Sequence, residues 1–553
     1  MCGIFAILNG YFDLTTIKKE FEKGKGRGPE HSEVLDLKTL SAFLGFHRLA
    51  INGLNKQSNQ PITIGHITLI CNGEIYNYKE LYSLMNLHKE DLKTDSDCEV
   101  IIHLYRRYGI NQTLKMLDGV FSFILLEDDY TSDMATMYVA RDPFGVRPLY
   151  HFMSHNISKN NFIYGFASEI KMLSEFALYK KSNIQHFPPG TYSKYTFAYK
   201  VLSSWKLEIS NEIYHSSAFP SFSPSNITKI EEVYSNIQHF FSNAVKKRCL
   251  VTERPVACLL SGGLDSSLVA ALANEYIGQS NPIETYSIGL KGSVDLKYAK
   301  IVADYLGTKH TEIVLTEKEF VDAIPEVIYT IESFDTTTVR ASIGNYFLGK
   351  YISQNSEAKV ILNGDGSDEL MGGYLYMHKC PNALEFDNEC RRLLKDIHMY
   401  DVLRSDKCIS SHGLEPRTPF LDRSWTQYYL SIDLATRYHP GNKQCEKHLI
   451  RTAFSKEHFL NKAGKPLLPD EILFRRKEAF SDGVSETTRS LYEIIGEYTQ
   501  KKFDKSEKEY YLSIFNSHYE KSETNVVPYY WMPKYVEAKD ASARTLDIYL
   551  EKK

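Results

Sequence analysis

The stretch Val256-Ala257-Cys258-Leu259-Leu260-Ser261-Gly262-Gly263-Leu264-Asp265-Ser266-Ser267 joins a short apolar run, a turn with two adjacent glycines and the start of a helical pattern. Glycines let the backbone approach a ligand closely, hydroxyls donate hydrogen bonds, and a helix N-terminus adds the positive end of a dipole. The stretch therefore predicts a pyrophosphate cradle. It is not a Walker A loop, because the lysine and the spacing of that motif are absent. An ordinary glycine-rich turn is the alternative, and it fits Ser261, Asp265 and Ser266 at these offsets less well.

Strand-like and helix-like patterns alternate around this cradle from residue 229 onward. The predicted elements are a helix at 229–248, strand Val256–Leu260, helix Asp265–Tyr276, strand Glu284–Ile288, helix Asp295–Leu306, strand Glu312–Leu315, helix Glu317–Glu332 and strand Lys359–Leu362. Such alternation is typical of an α/β domain with a parallel, doubly wound sheet. Ligands of these sheets bind at the carboxyl ends of the strands, where this half of the chain carries its Gly, Ser and Asp residues.

A second glycine-rich turn, Asn363-Gly364-Asp365-Gly366-Ser367-Asp368-Glu369, follows the last of these strands. Mg²⁺ binds through one or two carboxylates together with phosphate oxygens, so Asp265 and Asp368 are candidate metal ligands beside the cradle. The alternative for Asp368 or Glu369 alone is an acid that stabilises a helix N-terminus.

The first two hundred residues have a different pattern. Short apolar, β-branched and aromatic runs predict strands at Ile67–Cys71, Val120–Leu126, Met137–Ala140 and Phe162–Ala167, with helices at about 76–87 and 97–108. Strands in series with helices set apart indicate an α+β domain with antiparallel sheets. Residues 206–228 are polar and rich in Pro and Ser, so they are predicted to connect a domain at 2–205 with a domain at 229–553.

Cys2 is the first candidate nucleophile. Removal of Met1 would leave the Cys2 thiol next to a free α-amine, which titrates near pH 8 and can accept the thiol proton. On its own, Cys2 is better explained as a small apolar residue entering a strand. Three other motifs favour a site: Arg48 could hold a carboxylate, Asn72-Gly73 could direct N–H groups at an oxyanion, and Asp97 could hold an ammonium group.

Each of these three motifs also has an ordinary explanation. Arg48 could form a surface ion pair, Asn72-Gly73 could form a type I′ turn, and Asp97 could cap a helix. Taken singly, these explanations are favoured. The order in which the motifs occur along the chain decides otherwise.

The motifs that carry a resemblance in this half are Met1-Cys2-Gly3-Ile4, Arg27-Gly28-Pro29, His47-Arg48-Leu49, Asn72-Gly73-Glu74-Ile75-Tyr76-Asn77 and Ser96-Asp97-Cys98-Glu99. This series resembles the class II glutamine amidotransferases, whose fold contains an N-terminal nucleophile. The resemblance implies hydrolysis of glutamine to glutamate and ammonia through a thioester on Cys2, with Asn72 and Gly73 as the oxyanion hole. It implies glutamine binding by Arg48, Leu49, Ala50, Ile51, Asn52, Asn72, Gly73, Glu74 and Asp97. The family usually has His before Arg-Gly-Pro, and this chain has Gly26.

A second resemblance is carried by the two glycine-rich turns, by Ser287-Ile288-Gly289-Leu290, by Arg476-Lys477-Glu478 and by the tail Tyr529-Tyr530-Trp531-Met532-Pro533-Lys534. Together these stretches resemble the ATP-pyrophosphatase domain of the glutamine-dependent asparagine synthetases, in their eukaryotic branch. The resemblance implies that ATP adenylates the β-carboxylate of aspartate, with release of pyrophosphate, and that ammonia then displaces AMP. It implies an ATP site of Leu260, Ser261, Gly262, Gly263, Asp265, Ser266, Ile288, Asn363 and Gly364, a metal site of Asp265 and Asp368, and catalytic roles for Asp365 and Lys477.

Two residues depart from the family's usual Ser-Gly-Glu, namely Asn363 and Asp365. Asp is one methylene shorter than Glu, and misplacement of a reacting group by about 1 Å can cost on the order of 100-fold in rate.

Two other functions are alternatives to a glutamine-dependent synthetase. A β-lactam-forming relative is disfavoured because Cys2 is retained, and a non-catalytic regulatory protein rests only on the changes at Gly26, Asn363 and Asp365.

Composition excludes several other classes. Lys and Arg number 65 and Asp and Glu 69, a formal net charge of −4, so no nucleic acid partner is expected. No apolar run is long enough for a membrane helix, and the N-terminus does not resemble a secretory signal. The nine cysteines include no C-x-x-C pair, which predicts free thiols in the cytosol and argues against zinc. The expected partners are glutamine, aspartate and ATP, with a homodimer as a possible assembly.

Overall fold

The computed structural model describes residues 2–129, 131, 133–157, 159–180, 183–200, 204–217, 229–278, 281–478, 480–485, 489–519 and 523–547. The chain divides into two compact units. Unit 1 comprises residues 1–216 with the short segments 410–414 and 515–528, and unit 2 comprises residues 217–409, 415–514 and 529–553. Each unit is described below by itself.

Unit 1 is built on two antiparallel sheets. Its strands are β1 Gly3–Leu8, β2 His31–Leu37, β3 Ala42–Arg48, β4 Ile62–Ile64, β5 Ile67–Ile75, β6 Gly119–Asp129, β7 Met134–Arg141, β8 Tyr150–Asn156, β9 Asn161–Ala167, β10 Gln185–His186, β11 Thr191–Ala198 and β12 Trp205–Ile213. One sheet has the order β10-β8-β9-β1-β3-β2 and the other β12-β11-β7-β6-β5-β4. Buried residues of both sheets, such as Ile4, Leu44, Ile70 and Ile124, form one core between them.

Helices cover the outer faces of these sheets. They are α1 Leu14–Glu22, α2 Tyr78–Leu84, α3 Val100–Met116 and α4 Ser174–Lys180. Leu81 of α2 and Ile101 of α3 share a buried cluster with Phe123 of β6, while Phe21 of α1 packs its ring on Phe5 of β1. The predicted α+β unit with antiparallel sheets is confirmed.

The predicted connection at 206–228 is wrong at its start, because residues 206–213 belong to β12. The strand pairs with β11, and the buried Trp205 at its head donates from Nε1 to Leu40 O at 2.7 Å. Beyond Trp205 the side chains alternate between exposed and half-buried, as expected of an edge strand, which explains why this segment has the composition of a linker. Residues 218–228 lie outside the described part of the chain, so the remaining domain boundaries stay a prediction.

Unit 2 contains the predicted parallel sheet. Its strands are β13 Val256–Leu259, β14 Glu284–Leu290, β15 Lys309–Leu315, β16 Val360–Leu362 and β17 Glu415–Arg417. Every neighbouring pair is parallel, and the order is β15-β14-β13-β16-β17. The chain therefore reverses its direction of progress across the sheet between β13 and β16. The crevice at the carboxyl ends of two such strands is the usual ligand site of an open α/β sheet.

The helices of the second half of the chain are α5 Ile230–Leu250, α6 Leu264–Ile277, α7 Val294–Leu306, α8 Glu317–Asp322, α9 Ile324–Ile331, α10 Thr336–Asn355, α11 Ser367–Met371, α12 Ala383–Asp396, α13 Asp401–Ser410, α14 Arg423–Ser431, α15 Leu434–Arg437, α16 His448–Ala453, α17 Asp470–Leu473, α18 Phe480–Gly483, α19 Leu491–Phe503, α20 Glu507–His518 and α21 Glu523–Val526. The single helix expected at 317–332 is two helices. Pro325 lies in the first turn of α9, where its missing N–H costs no hydrogen bond.

The sequence pattern did not indicate α10, although it is one of the longest helices of unit 2. The helix begins with three threonines and a valine, which have only moderate helix propensity. Asp335 caps it by accepting from Thr338 N at 2.9 Å, and most of its residues are buried. Tertiary burial therefore overrides the local preference. Across the described residues, no helix is both long and apolar enough to cross a membrane.

Asp422 joins α5 to α14 inside unit 2. Its Oδ1 accepts from Ser424 N at 3.1 Å and from Trp425 N at 3.2 Å, which caps α14. Its Oδ2 accepts from Nη1 of Arg248 at 2.7 Å and pairs with Lys247. Burial alone would raise the pKa of Asp422, but the two cations outweigh it and lower the pKa to about 2.

We expect Asp422→Asn to keep the capping oxygen and lose the ion pairs. The free energy of unfolding at pH 7 should fall by about 2 kcal/mol, because each pKa unit corresponds to about 1.4 kcal/mol. A depressed carboxyl pKa stabilises the fold above the unfolded pKa of 3.8 and loses this effect as the pH falls toward 2. In urea unfolding, the difference in free energy of unfolding between wild type and Asp422→Asn should therefore narrow below pH 4. Asp433→Asn, at a partly exposed cap, should differ little from wild type at any pH. A gap that does not change with pH would contradict this account.

Candidate active sites in the two units

Cys2 lies at the start of β1, next to the strand that carries Arg48. The register of β1 on β3 places Gly3 opposite His47, and Cys2 Sγ donates to Leu49 O at 3.6 Å. Nε of Arg27 donates to Cys2 O at 2.9 Å, which fixes the backbone of the nucleophile. The thiol is only partly buried, so a substrate can reach it.

Arg48 is buried and orders the loop that follows β3. Its Nη1 donates to Asn55 O at 3.0 Å and to Asn59 Oδ1 at 2.7 Å, while its Nη2 donates to the carbonyls of Asn52 and Gly53. Burial lowers the pKa of Arg48, and nearby acidic groups, with Cys2 first among them, oppose this shift. The register of β1 on β3 brings the backbones of Cys2 and Arg48 together, but the contacts of the guanidinium here are with loop oxygens. Its role as a carboxylate clamp stays a prediction.

Asn72 and Gly73 lie within β5, which extends beyond the end predicted for it at Cys71, so the type I′ turn given as their ordinary explanation is not formed. The strand continues to Ile75, and its register pairs Asn72 with Ser122 of β6. The Asn72 side chain is fully buried, yet neither Nδ2 nor Oδ1 has a hydrogen-bond partner. A buried amide without partners costs about 1–3 kcal/mol, and such unpaired groups are typical of preorganised oxyanion donors. A Cβ at position 73 would lie 2.7 Å from Val120 O, which explains the glycine.

The other predicted glutamine-binding residues surround this strand. Nδ2 of Asn52 donates to Oε1 of Glu74, and both side chains are buried. Oδ2 of Asp97 accepts from Ile75 N at 2.7 Å, so this acid is fixed against the end of β5. Asp97 lies in a 3₁₀ turn, and the α-helix expected to begin there starts at Val100.

The intervening residues Leu49, Ala50 and Ile51 are buried in the loop after Arg48, where Ala50 N donates to Oε2 of Glu30 at 2.7 Å. Two carboxylates, Glu74 and Asp97, are thus held rigidly by neighbouring protein groups. They could bind an ammonium group.

The change of the family's usual His to Gly26 has a steric explanation. A Cβ built at this position would lie 2.8 Å from Ser411 O, in the 410–414 segment of unit 1. Any larger side chain would have to displace that backbone carbonyl. Arg27, the next residue, still reaches Cys2 O, so the neighbouring contact with the nucleophile is kept.

In unit 2, the two glycine-rich loops meet at the carboxyl ends of β13 and β16. A Cβ on Gly364 would lie 2.8 Å from both Asp265 Cβ and Ser266 N, so the loops touch only because this residue is glycine. Ser261 N donates to Ser266 Oγ at 3.1 Å, which closes the first loop on itself.

One cavity contains most of the predicted ATP-site residues. Its lining includes Leu260, Ser261, Gly263, Asp265, Ser266, Ile288, Asn363, Gly364, Asp365, Asp368 and Lys477. Gly262 is absent from this lining. Its φ of +70° is in the left-handed region, and an added Cβ would collide with Tyr298 and Ala299 of α7. Gly262 therefore allows the loop to pack on α7.

Two carboxylates and two ammonium groups meet in this cavity. Nζ of Lys447 lies 2.6 Å from both Asp265 Oδ2 and Asp368 Oδ1, and Nζ of Lys477 donates to Asp368 Oδ2 at 2.6 Å. Burial would raise the pKa of Asp368, but the two lysines hold it well below its usual range. The negative charges of Asp368 and Asp265 raise the pKa of Lys477 despite its burial. Asp368 and Lys477 are therefore both ionised at neutral pH.

Lys447 was missed by the sequence analysis. It lies in no recognisable motif, and its only unusual feature is a left-handed backbone, φ +58°, at the cap of α16. That conformation cannot be read from the sequence, because lysine has no preference for it. The structure brings Lys447 to Asp265 from 182 residues away.

The two residues that depart from the family's pattern contact consecutive residues of α13. Nη2 of Arg404 donates to Asp365 Oδ1 at 2.9 Å, and Nδ2 of Asn363 donates to Ser405 Oγ at 2.5 Å. Nε of Arg404 also donates to Asp401 Oδ1 at 2.8 Å. Burial raises the pKa of Asp365, and the charge of Arg404 opposes this rise. The shorter acid is thus held by a fixed cation.

The C-terminal tail covers one side of the cavity. Trp531 and Ala543 are among the lining residues, and Trp531 N donates to Asp335 Oδ1 at 2.8 Å. Arg340 of α10 anchors the tail through two hydrogen bonds to Asp540, at 2.7 and 2.9 Å. The helix that the sequence pattern did not indicate therefore supports the wall of the site.

The acid pair fits a divalent cation that also binds phosphate. Asp265 and Asp368 direct oxygens at one point, which the ammonium group of Lys447 occupies. Within the described residues, no three His, Cys, Asp or Glu side chains form a metal site. Two carboxylates with phosphate oxygens is the usual donor set for Mg²⁺.

The fold and the sites define a class: a protein with an N-terminal cysteine in an antiparallel α+β unit and an acidic, glycine-rich nucleotide site in a parallel α/β unit. Residues 1–198 match the model of the glutamine amidotransferase domain, and residues 236–388 and 380–538 match that of asparagine synthase. The chain is 38% identical to the glutamine-hydrolysing asparagine synthetase of Gallus gallus over 582 residues, and 37% identical to that of Homo sapiens over 586, with 99% of each chain covered. It belongs to the family of glutamine-hydrolysing asparagine synthetases.

We expect Gly364→Ala to separate the two loops of the ATP site. Overpacking of this kind costs about 1–3 kcal/mol, so ATP affinity measured by calorimetry should fall roughly tenfold or more. Gly496→Ala is the matched control, because a Cβ there meets nothing within 4 Å and α19 gains helix propensity. Unchanged ATP affinity in Gly364→Ala would show that the loops can move apart at no cost.

Proposed function

We propose that this chain makes asparagine from aspartate, ATP and the amide nitrogen of glutamine, with Cys2 and the Asp265–Asp368 cluster as its two reaction centres. The observation that carries the proposal is that both sets of groups are intact in one chain. Cys2 lies beside Arg48 and the buried Asn72 belongs to the same unit, while two acids and two lysines meet at the carboxyl ends of β13 and β16.

In the first reaction, Cys2 Sγ attacks the amide carbon of glutamine and ammonia leaves. The α-amine of Cys2, once Met1 is removed, takes the thiol proton and returns it to the leaving nitrogen. The Asn72 side chain and the Gly73 N–H donate to the oxyanion, and Glu74 and Asp97 bind the α-ammonium group of the substrate. Arg48 binds the α-carboxylate in exchange for part of its contacts with the loop at 52–59. Water then releases glutamate from the thioester.

In the second reaction, the β-carboxylate of aspartate attacks the α-phosphorus of ATP and pyrophosphate leaves. Ammonia then attacks the acyl carbon of β-aspartyl-AMP, AMP leaves, and asparagine is formed. Lys447 and Lys477 provide the positive charge that the departing pyrophosphate requires. Ser261, Gly263 and Ser266 form the cradle, and Ile288 with Asn363 and Gly364 borders the nucleotide.

Asp265 and Asp368 would hold Mg²⁺ together with the phosphates of ATP. When bound, the ion would neutralise phosphate charge and orient the leaving group. Lys447 places its positively charged ammonium group between the same two carboxylates.

Asp365 lies where the family's acid is found, and we propose that it serves the formation or use of the β-aspartyl-AMP. Arg404 compensates for the missing methylene by fixing the shorter carboxylate from α13. The proposal also includes a cytosolic location and a homodimer. Light scattering of the purified chain is the direct test of the homodimer.

The reaction is tested with ATP, Mg²⁺ and aspartate, with glutamine or ammonium as the nitrogen donor. We expect one asparagine per pyrophosphate with either donor. Glutamine hydrolysis without asparagine would contradict the synthetase half. Pyrophosphate release that gives a cyclic product would favour the β-lactam-forming alternative, and the absence of both reactions would favour a regulatory protein.

Cys2→Ala separates the two centres. It should abolish glutamine hydrolysis and glutamine-dependent synthesis, because the nucleophile is lost, and leave ammonium-dependent synthesis within about twofold of wild type. Cys445→Ala, which removes an exposed thiol, should change neither activity. If Cys2→Ala also lost ammonium-dependent synthesis while remaining folded, the two-centre account would be wrong.

A further inference from the structure

One buried ion pair holds the backbone on both sides of a short loop in unit 2. Nη2 of Arg451 donates to Glu446 Oε1 at 2.7 Å, and both side chains are almost fully buried. Nη1 of Arg451 donates to Leu473 O at 2.5 Å, and Oε1 of Glu446 accepts from Lys477 N at 3.2 Å. The pair therefore fixes the backbone on both sides of residues 474–476.

The ion pair thus holds the backbone of Lys477, whose side chain reaches the acid cluster. Nζ of Lys477 lies 2.6 Å from Asp368 Oδ2. A lysine side chain is long and flexible, so the position of its ammonium group depends on where the backbone is anchored. Arg475, two residues earlier, is held separately, because its Nη2 donates to Asp295 Oδ1 at 2.9 Å.

Glu446 also precedes Lys447 in the chain. The left-handed backbone of Lys447 directs its side chain to Asp265 and Asp368, while Glu446 turns toward the Lys477 amide. Two consecutive residues thus place both ammonium groups of the cluster, one directly and one through a backbone hydrogen bond.

Glu446 is charged in this setting. Burial alone would raise its pKa, but His378, whose Nε2 lies 3.7 Å from Glu446 Oε2, and the charge of Arg451 outweigh burial and lower the pKa to about 2. A carboxylate accepts a stronger hydrogen bond from an amide than a neutral group does. The contact with Lys477 N is therefore firm at neutral pH.

We propose that Glu446, fixed by Arg451, is a positioning residue that holds the Lys477 ammonium group in place for the phosphates of ATP. The inference deepens the proposed function and rests on it for the identity of the ligand. Glu446 is not one of the residues that line the cavity, and it reaches the cavity through Arg451 and Lys477, which are. It acts through Lys477.

The kinetic test uses the full-length chain with ammonium as donor and measures pyrophosphate release over a range of ATP concentrations. Glu446→Ala should lower kcat/KM for ATP by about 10- to 100-fold, because a shift of about 1 Å in a reacting group costs on the order of 100-fold. Glu446→Gln keeps an acceptor oxygen and should recover most of the loss. Glu471→Ala, at an exposed position of α17, is the matched control and should resemble wild type.

A double-mutant cycle separates positioning from general stability. If Glu446 acts through Lys477, then Glu446→Ala should add no loss in a Lys477→Ala background. Losses that multiply, or a Glu446→Ala enzyme as active as Glu471→Ala, would overturn the proposal. Glutamine hydrolysis should be unchanged in the control variant Glu471→Ala.

A second measurement does not depend on activity. Trypsin should cleave after Arg475 and Arg476 at least severalfold faster in Glu446→Ala than in Glu471→Ala, because the backbone anchor is lost. Equal cleavage rates would overturn the proposal even if activity fell. If wild type released no pyrophosphate, the proposed function would fail by itself, and the cleavage rates would still decide whether Glu446 holds the loop.

Discussion

Two carboxylates and two ammonium groups meet where the strand order of the parallel sheet reverses, and the arrangement of unit 2 follows from this cluster. A single buried charge is costly, and removal of one partner from a buried pair costs about 3–5 kcal/mol. Asp265 and Asp368 lie in the cavity wall with 15% of each side chain exposed, and Lys447 and Lys477 reach both of them and balance their charge. The loops that carry the acids can touch because Gly364 has no Cβ.

A different constraint governs unit 1, where antiparallel pairing fixes the position of Cys2, the proposed nucleophile. The register of β1 on β3 brings Cys2 next to Arg48, and the register of β5 on β6 buries Asn72 without a partner. A chain selected for stability alone would pair or replace that amide. Unpaired buried groups of this kind are common at functional sites, where one local rule is often broken.

Local patterns predicted much of both folds. Apolar runs followed by glycine-rich turns indicate strands β13 and β16, because a buried strand and its turn use neighbouring residues. The same reasoning failed at α10, whose threonines are poor helix formers until burial holds them, and at β12, whose exposed face has the composition of a linker. In both cases, contacts with distant residues outweighed the local preference.

By itself, the sequence determined the two fold classes, and it placed Cys2, Asp265 and Asp368 in motifs whose resemblance to a known family makes them the candidate nucleophile and the candidate metal ligands. Only the tertiary structure decided the cation set. Lys447 reaches the acids from a left-handed turn, and Arg404 reaches Asp365 from α13. These partners are far apart along the chain and belong to no shared motif. Packing of whole elements, not the residues near them in sequence, sets their distances.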